Sequence, residues 1–353
     1  MRKKEEDLKK AVFEHKAEFT LENGQTLKGF QLYYEVLGNQ DLNHDKVIWV
    51  CHALTGNATV TDWWEGLFGI GRLFNPEEYS IICANSLGGC YGSTGPLSEN
   101  PATGKPYFHD FPTLTNRDIV NAFDLLRKSL GIQKIHTLIG GSLGGQQALE
   151  WSILQPHLAE HLIIVASNAF HSPWGIAFNE SQRMAISLDK TWELADEKAG
   201  LEGMKIARTI ALLSYRSYET YALSQKEDDI NKTDNYKASS YQVYQGEKLS
   251  KRFNAFSYWV LSKAMDSHNV GRRKESAAEA LKGIKAKTLV IGVNSDLLFP
   301  VEEQKFIANH ISDAFYQEIN SCFGHDGFLI EFPQIEQCIS SFYNQVSLKS
   351  QNI

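Results

Sequence analysis

The stretch IHTLIGGSLGGQQALEW, residues 135–151, passes from a short apolar run, through glycines around one serine, into a segment with helical spacing. A run of this length bounded by glycines reads as a strand buried on both faces, and the segment after the serine reads as a helix packed back onto it. Gly140-Gly141-Ser142-Leu143-Gly144 has the form G-x-S-x-G, which needs small flanking residues because it holds a serine hydroxyl out on a sharp strand-to-helix turn. A glycine-rich turn that only packs helix against strand has the same five residues, so partners elsewhere must decide. A dinucleotide or P-loop reading fails, because no GxGxxG or GK[ST] pattern is present and the serine takes a glycine position.

Working outward, VIWVCHA (47–53), YSIICAN (79–85), LIIVASN (162–168) and TLVIGVN (288–294) are further near-continuous apolar runs, with FYQEI (315–319) a weaker one. Such runs mark a parallel sheet covered on both faces. Helical candidates such as NRDIVNAFDLLRKSLG, with a glycine stop at Gly131, alternate with them as βαβ units do. AEFTLENGQTLKGFQLYYEVLG (17–38) alternates around ENGQ and predicts an opening antiparallel hairpin. The start, MRKKEEDLKKAVFEHKAEF, mixes both charge signs without an apolar signal core and predicts a solvated helix or frayed arm.

From about 171 to 284 the strand signal disappears. WELADEKAGLEGMKIARTIALLSYRSYETYALS and FNAFSYWVLSKAMDSHN read as helices joined by polar stretches such as QKEDDINKTDNYK. Because TLVIGVN resumes the sheet afterwards, the expected organisation is a core of residues 1–170 and 285–353 with a helical cap, or lid, at 171–284 over the C-terminal edge of the strands. No internal repeat or low-complexity tract interrupts it.

A serine hydroxyl needs a histidine to take its proton, and the histidine needs a carboxylate to fix its tautomer and stabilise its cation. Asp296 stands just past TLVIGVN, where a strand end presents it, although an aspartate there can also simply form a turn. His325, in NSCFGHDGFL, follows the last strand on a glycine-flanked loop. Backbone N–H groups of Leu143, after the serine, and Leu54, in the loop CHALTGN, suit an oxyanion hole, with His52 bracing that loop. His109, His136, His157, His161, His171 and His268 read as structural or surface residues, and no metal site is expected because none has ligand spacing.

The 353 residues carry a formal charge of −7 without a basic cluster larger than KGIKAK at 282–287, which speaks against nucleic acid as partner. No apolar run reaches the length of about 20 residues that spans a bilayer, so neither a membrane partner nor a membrane location is expected and the cytoplasm follows. Five cysteines, Cys51, Cys83, Cys90, Cys322 and Cys338, are odd in number and lack CxxC spacing. They are expected to be reduced and mostly buried.

Taken in order, HALTG, WWEGLFG, CANSLGGCYGSTGP, GGSLGGQQALEW, SYRS, MDSHNVGR, SDLLFP and GHDGFL resemble the homoserine O-acetyltransferase family of α/β-hydrolase-fold acyltransferases over residues 18 to 345. The resemblance implies an α/β-hydrolase fold: a mostly parallel sheet flanked by helices, with an inserted all-helical cap. It also implies a ping-pong reaction of methionine biosynthesis. Ser142 takes an acetyl group from acetyl-CoA, a substrate and not a resident cofactor, and L-homoserine, deprotonated by His325, collects it while Asp296 orients His325. Arg208, Tyr215 and Asp326 match the family's amino-acid contacts, with Arg216 a competing partner for the acceptor carboxylate. A guanidinium for the carboxylate and a carboxylate for the ammonium is sound chemistry for a zwitterion. A homodimer through the cap helices is implied as well.

Asn254 and Phe256 in FNAFSYW depart from the family pattern, and so do Asn57 and Thr59 in HALTGNATVTDWW, the latter two close to where the acyl group and acceptor should lie. Succinyl-CoA as donor, serine as acceptor, and an esterase or thioesterase using the same triad therefore remain alternatives. No obvious additional arginine stands beside the HALTG and GGSLGG loops, which favours acetyl over succinyl, although residues from the cap could supply one.

Overall fold

The computed structural model describes residues 7–351. Its main sheet has eight strands: β1 (Leu8–His15), β2 (Phe30–Gly38), β3 (Val47–Cys51), β4 (Ser80–Ala84), β5 (Ile135–Gly141), β6 (Ala159–Val165), β7 (Lys287–Val293) and β8 (Ala314–Ile319). Their spatial order is β1-β2-β4-β3-β5-β6-β7-β8. The two pairings that involve β2 are antiparallel, and all those from β4 to β8 are parallel. Each apolar run read from the sequence is one of these strands.

The helices are α1 (Val60–Trp63), α2 (Asn116–Ser129), α3 (Leu143–Leu154), α4 (Pro173–Ser187), α5 (Leu201–Tyr215), α6 (Tyr218–Ser224), α7 (Lys237–Ser250), α8 (Ala255–Asp266), α9 (Ala277–Lys282), α10 (Val301–His310) and α11 (Phe332–Gln351). Strand β3 shows why the central runs are apolar throughout. Val47, Trp49 and Cys51 enter the core beneath α2 and α3, while Ile48 and Val50 enter the core on the opposite face with Trp64 and Phe342. In the first core Trp49 meets Trp151 of α3 edge to face at 4.9 Å. Helix α2 begins at a capping box, Thr115 with Asp118, and the chain turns beyond it at Gly131, whose φ is +73°. Helices α4 to α9 all fall between β6 and β7, and no main-sheet strand lies among them.

Three expectations are corrected. Residues 8–15 are not a solvated helix or arm but the edge strand β1, in register with β2 from Leu8↔Leu37 to His15↔Phe30. Ala11 and Phe13 pack against the core, while Lys9, Lys10 and Glu14 carry the charges that made the segment read as solvated. Such charges are usual on a sheet edge. Residues 1–6 lie outside the described ones. The expected hairpin over 17–38 is also divided. Phe19–Thr20 and Thr26–Leu27 form a short ribbon, and the chain then turns at Gly29, φ +90°, where a Cβ would lie 2.8 Å from the His15 carbonyl oxygen. That turn sends β2 to β1 instead of back along the ribbon. All five thiols are free, but only Cys51 and Cys83 are buried; Cys90, Cys322 and Cys338 are half-buried. Among the described residues no helix is long and apolar enough to cross a membrane.

Candidate active site

Ser142 links β5 to α3 with φ 55° and ψ −125°, a left-handed conformation that costs energy for a residue with a side chain. Packing enforces it. A Cβ on Gly144 would lie 2.0 Å from the Cys51 carbonyl oxygen, and one on Gly140 would lie 2.2 Å from the Gly144 carbonyl oxygen, so larger residues cannot occupy either position. The Ser142 N–H donates to Val165 O at 3.0 Å, and the Ser167 hydroxyl donates to Ser142 O at 2.7 Å. The Ser142 side chain does not cap α3. Its hydroxyl instead meets His325 Nε2 at 2.9 Å.

His325 lies in a short 3₁₀ helix, Gly324–Leu329, after β8. The rings of Phe299 and Phe328 hold it at centroid distances of 5.0 and 5.1 Å. Its Nδ1 lies 2.6 Å from Asp296 Oδ2. Asp296 Oδ1 meanwhile accepts from the N–H groups of Leu298 and Phe299 at 2.8 and 2.9 Å, which locks the carboxylate plane. A carboxylate can only accept from Nδ1–H, so Nε2 keeps its lone pair for the serine proton. All three side chains are buried. The structure brings Ser142, His325 and Asp296 together in one hydrogen-bonded relay.

The relay opens into a cavity of about 160 Å³ whose lining includes Leu54, Ser142, Arg208, Tyr215, His325 and Asp326. Leu143 opens α3, so the helix offers its N–H no carbonyl. Arg208 stacks over the Tyr215 ring at 5.3 Å. Burial pushes the Asp326 carboxyl above its usual range, against the opposing pull of Arg216 and Arg208. Arg216 forms an ion pair with Asp326 at 2.9 Å, which commits it, whereas Arg208 faces the cavity. The cap reaches the histidine loop directly. Thr220 Oγ1 donates to Cys322 O at 2.6 Å, and Gly324, φ +64°, passes so close to the end of α5 that a Cβ there would lie 2.9 Å from Ser217 N.

A scan against family models matches the α/β-hydrolase fold over residues 46–332. The homoserine O-acetyltransferase of Cyclobacterium marinum is 50% identical over 337 residues, covering 96% of each chain. The chain belongs to the homoserine O-acetyltransferase family. The crystal structure of homoserine O-acetyltransferase from Bacillus anthracis superposes with a TM-score of 0.88 at 27% identity, covering 96% of this chain and 98% of that one. Esterase E22 superposes at 0.85 with 26% identity, covering 95% and 99%. Within this architecture, transfer and hydrolysis share a scaffold.

The cap supplies an arginine beside the HALTG loop, the alternative that the sequence left open. Arg252, between α7 and α8, lines the cavity and donates through one terminal nitrogen to Thr55 O and to Tyr91 Oη, each at 2.7 Å. Its place in a polar linker almost two hundred residues from Thr55 left no local signal. Trp63 also lines the cavity and was legible only as part of WWEGLFG; its Nε1–H donates to Asn57 O at 3.0 Å.

His52 braces the HALTG loop as its position suggests. Its Nδ1–H donates to Ala53 O at 2.8 Å, and its Nε2 accepts from Ser86 N–H at 3.0 Å. Burial holds its pKa down from 6.5 to about 4. Between those values the unfolded chain binds a proton that the folded chain refuses. The contribution of His52 to stability is therefore present above pH 6.5 and lost as pH falls toward 4. His171 and His268, also pushed down by burial, add slopes of the same sign. Urea midpoints measured across that range are expected to fall with pH, and less steeply in His52→Gln; equal slopes would show that His52 is not protected from protonation.

Proposed function

We propose that this protein transfers the acetyl group of acetyl-CoA to the side-chain hydroxyl of L-homoserine, a step of methionine biosynthesis, through an acetyl-Ser142 intermediate. The observation that carries this reading is the relay Asp296–His325–Ser142, with links of 2.6 and 2.9 Å, opening into a cavity that also presents a cation, Arg208, and a carboxylate, Asp326. The relatives named for the same reaction support it.

In the first half-reaction His325 Nε2 takes the Ser142 proton as Oγ attacks the thioester carbonyl. The N–H groups of Leu143 and Leu54 hold the oxyanion, and the tetrahedral species collapses as His325 protonates the departing CoA sulfur. In the second, the homoserine hydroxyl gives its proton to the same Nε2 and attacks the acetyl carbonyl, and Ser142 recovers the proton as it leaves. Arg208, steadied on the Tyr215 ring, binds the acceptor carboxylate, and Asp326 binds the ammonium. Arg216, already paired with Asp326, is the weaker candidate for the carboxylate. Arg252 is tied to Thr55 and Tyr91, which supports acetyl over a donor bearing a carboxylate.

The core is taken as residues 1–170 and 285–353 and the lid as 171–284, whose helices cover the acyl-serine against water. A cytoplasmic location accords with five free thiols. Exposed apolar side chains on the lid, Ile206 and Leu213 of α5 with Val243 and Tyr244 of α7, suit a homodimer through these helices. A monomeric sedimentation coefficient would contradict it.

Arg208→Ala and Asp326→Asn are each expected to lower kcat/KM for L-homoserine by about 10²-fold while acetyl-CoA still loads Ser142, since each leaves one charge of a desolvated zwitterion unpaired. Unchanged acceptor kinetics in both variants would remove the acceptor assignment. Uniform loss of both half-reactions would instead point to a structural role.

A further inference from the structure

At the opposite end of β5 from Ser142, His136 stands beside Glu160 and His161 of β6. Nothing in the acyl-transfer chemistry uses them. One ligand atom from each of the three side chains lies within 4.8 Å of the others, the one such group of three among the described residues. The geometry points to a site for a divalent transition-metal ion at the N-terminal edge of the sheet, held by His136, His161 and Glu160.

Neighbouring strands fix the ligands. Parallel register places Ala159 beside Ile135 and His161 beside Thr137, so the three residues occupy two central strands and not a loop. His161 donates from Nδ1 to His136 O at 3.0 Å, which leaves its Nε2 with the lone pair. His136 Nδ1 meets Thr137 Oγ1 at 2.9 Å, and that hydroxyl meets Tyr343 Oη at 2.7 Å. With the proton on Nδ1, the second histidine also offers Nε2. An oxygen partner on the ring nitrogen that does not face the ion is the usual surrounding of a metal-bound histidine. Aromatic rings hold the two imidazoles 4.9 Å apart: Tyr343 and Phe342 against His161, Tyr79 and Tyr343 against His136.

His161 Nε2 lies 3.8 Å from Glu160 Oε1. Ligands about 2.1 Å from a tetrahedral ion stand roughly 3.4 Å apart, so a small side-chain adjustment closes the site. Two imidazoles and one carboxylate suit Zn²⁺ or Cu²⁺, and not Mg²⁺ or Ca²⁺, which take oxygen ligands. His136 and Glu160 also line an open cavity with Asp45, Lys134 and Lys285, which gives an ion and its water ligand a path in. The charges of Lys46 on His136 and of Lys287 on His161 oppose a cation, while those of Asp45 and Glu160 offset them. No sequence spacing announces the site, because its ligands come from two strands separated by α3. His136 stands six residue steps before Ser142, roughly 20 Å along β5, so the ion acts on stability and not on the triad.

The test is Zn²⁺ alone, titrated into chelator-treated full-length protein by calorimetry, with thermal unfolding recorded in parallel. One ion per chain and a Tm that rises by a few degrees with excess Zn²⁺ are expected. His136→Ala and Glu160→Gln are each expected to weaken binding by about tenfold or more, and Mg²⁺ should have no effect. His161 is buried, so His161→Ala is the variant that can perturb folding; half-exposed His136 and exposed Glu160 avoid this. Absence of saturable binding, or an isotherm that His136→Ala leaves unchanged because other histidines or thiols take the ion, overturns the site. Neither readout depends on acyl transfer, so failure here leaves the proposed function standing.

Discussion

Ser142→Ala is expected to lower the rate of CoA release by on the order of 10⁴-fold or more and to abolish the acetyl adduct on the protein, while the fold survives. Ser142 Oγ is the hydroxyl hydrogen-bonded to His325 Nε2, and members of a serine relay act as a unit, so losing the serine is expected to forfeit nearly all the chemistry. The structural cost is small. The hydroxyl does not cap α3, and its hydrogen bond is to His325 at the cavity wall. Alanine keeps the Cβ and the strain at φ 55°, so the stability change should stay within about 1 kcal/mol. Stopped assays with mass spectrometry, beside a thermal scan, decide it. A folded variant within about tenfold of wild type would move the acyl group to another residue.

Asp296→Asn should reduce kcat by about 10⁴-fold with little change in substrate KM. The reason is directional. The N–H groups of Leu298 and Phe299 both donate to Asp296 Oδ1, so an asparagine must place its carbonyl oxygen there and turn its NH₂ toward His325 Nδ1. A donor facing Nδ1 drives the imidazole proton to Nε2, where it points at Ser142 and cannot accept the serine proton. Steady-state kinetics on the purified variant checks this. A loss of less than about tenfold would mean that Asp296 is the turn-forming residue its sequence also allows.

The residues that are legible in the sequence share a property: each sits where a local signal ends. Ser142 and Asp296 follow apolar runs that are strands β5 and β7, and His325 follows β8 on a glycine-flanked turn. Period and flanking glycines carry that information within a few residues. Edge strand β1 is not legible because its exposed face carries the charges and only Ala11 and Phe13 enter the core, a pattern too sparse to separate from a solvated arm. Arg252 is hidden because its meaning lies in Thr55 and Tyr91, brought to it by the cap and not by spacing. Arg208 and Arg216 cannot be ranked by sequence; α5 aims the first at the cavity, and the second, just beyond the helix, pairs with Asp326. His136 and His161 read as structural because their convergence is a matter of strand register.

Because an esterase superposes on this chain, the proposed transfer depends on the L-homoserine hydroxyl, and not water, reaching acetyl-Ser142. The relay can serve both, and the transferase relatives, with the roles proposed for the lid, Arg208 and Asp326, favour transfer to the hydroxyl. The direct measurement is CoA release from acetyl-CoA by a thiol assay with and without L-homoserine, with succinyl-CoA and L-serine in parallel. Steady release that requires L-homoserine and acetyl-CoA together is the expected result. Equal steady release without L-homoserine would contradict acyl transfer, make the protein a thioesterase, and remove the acceptor roles of Arg208, Tyr215 and Asp326.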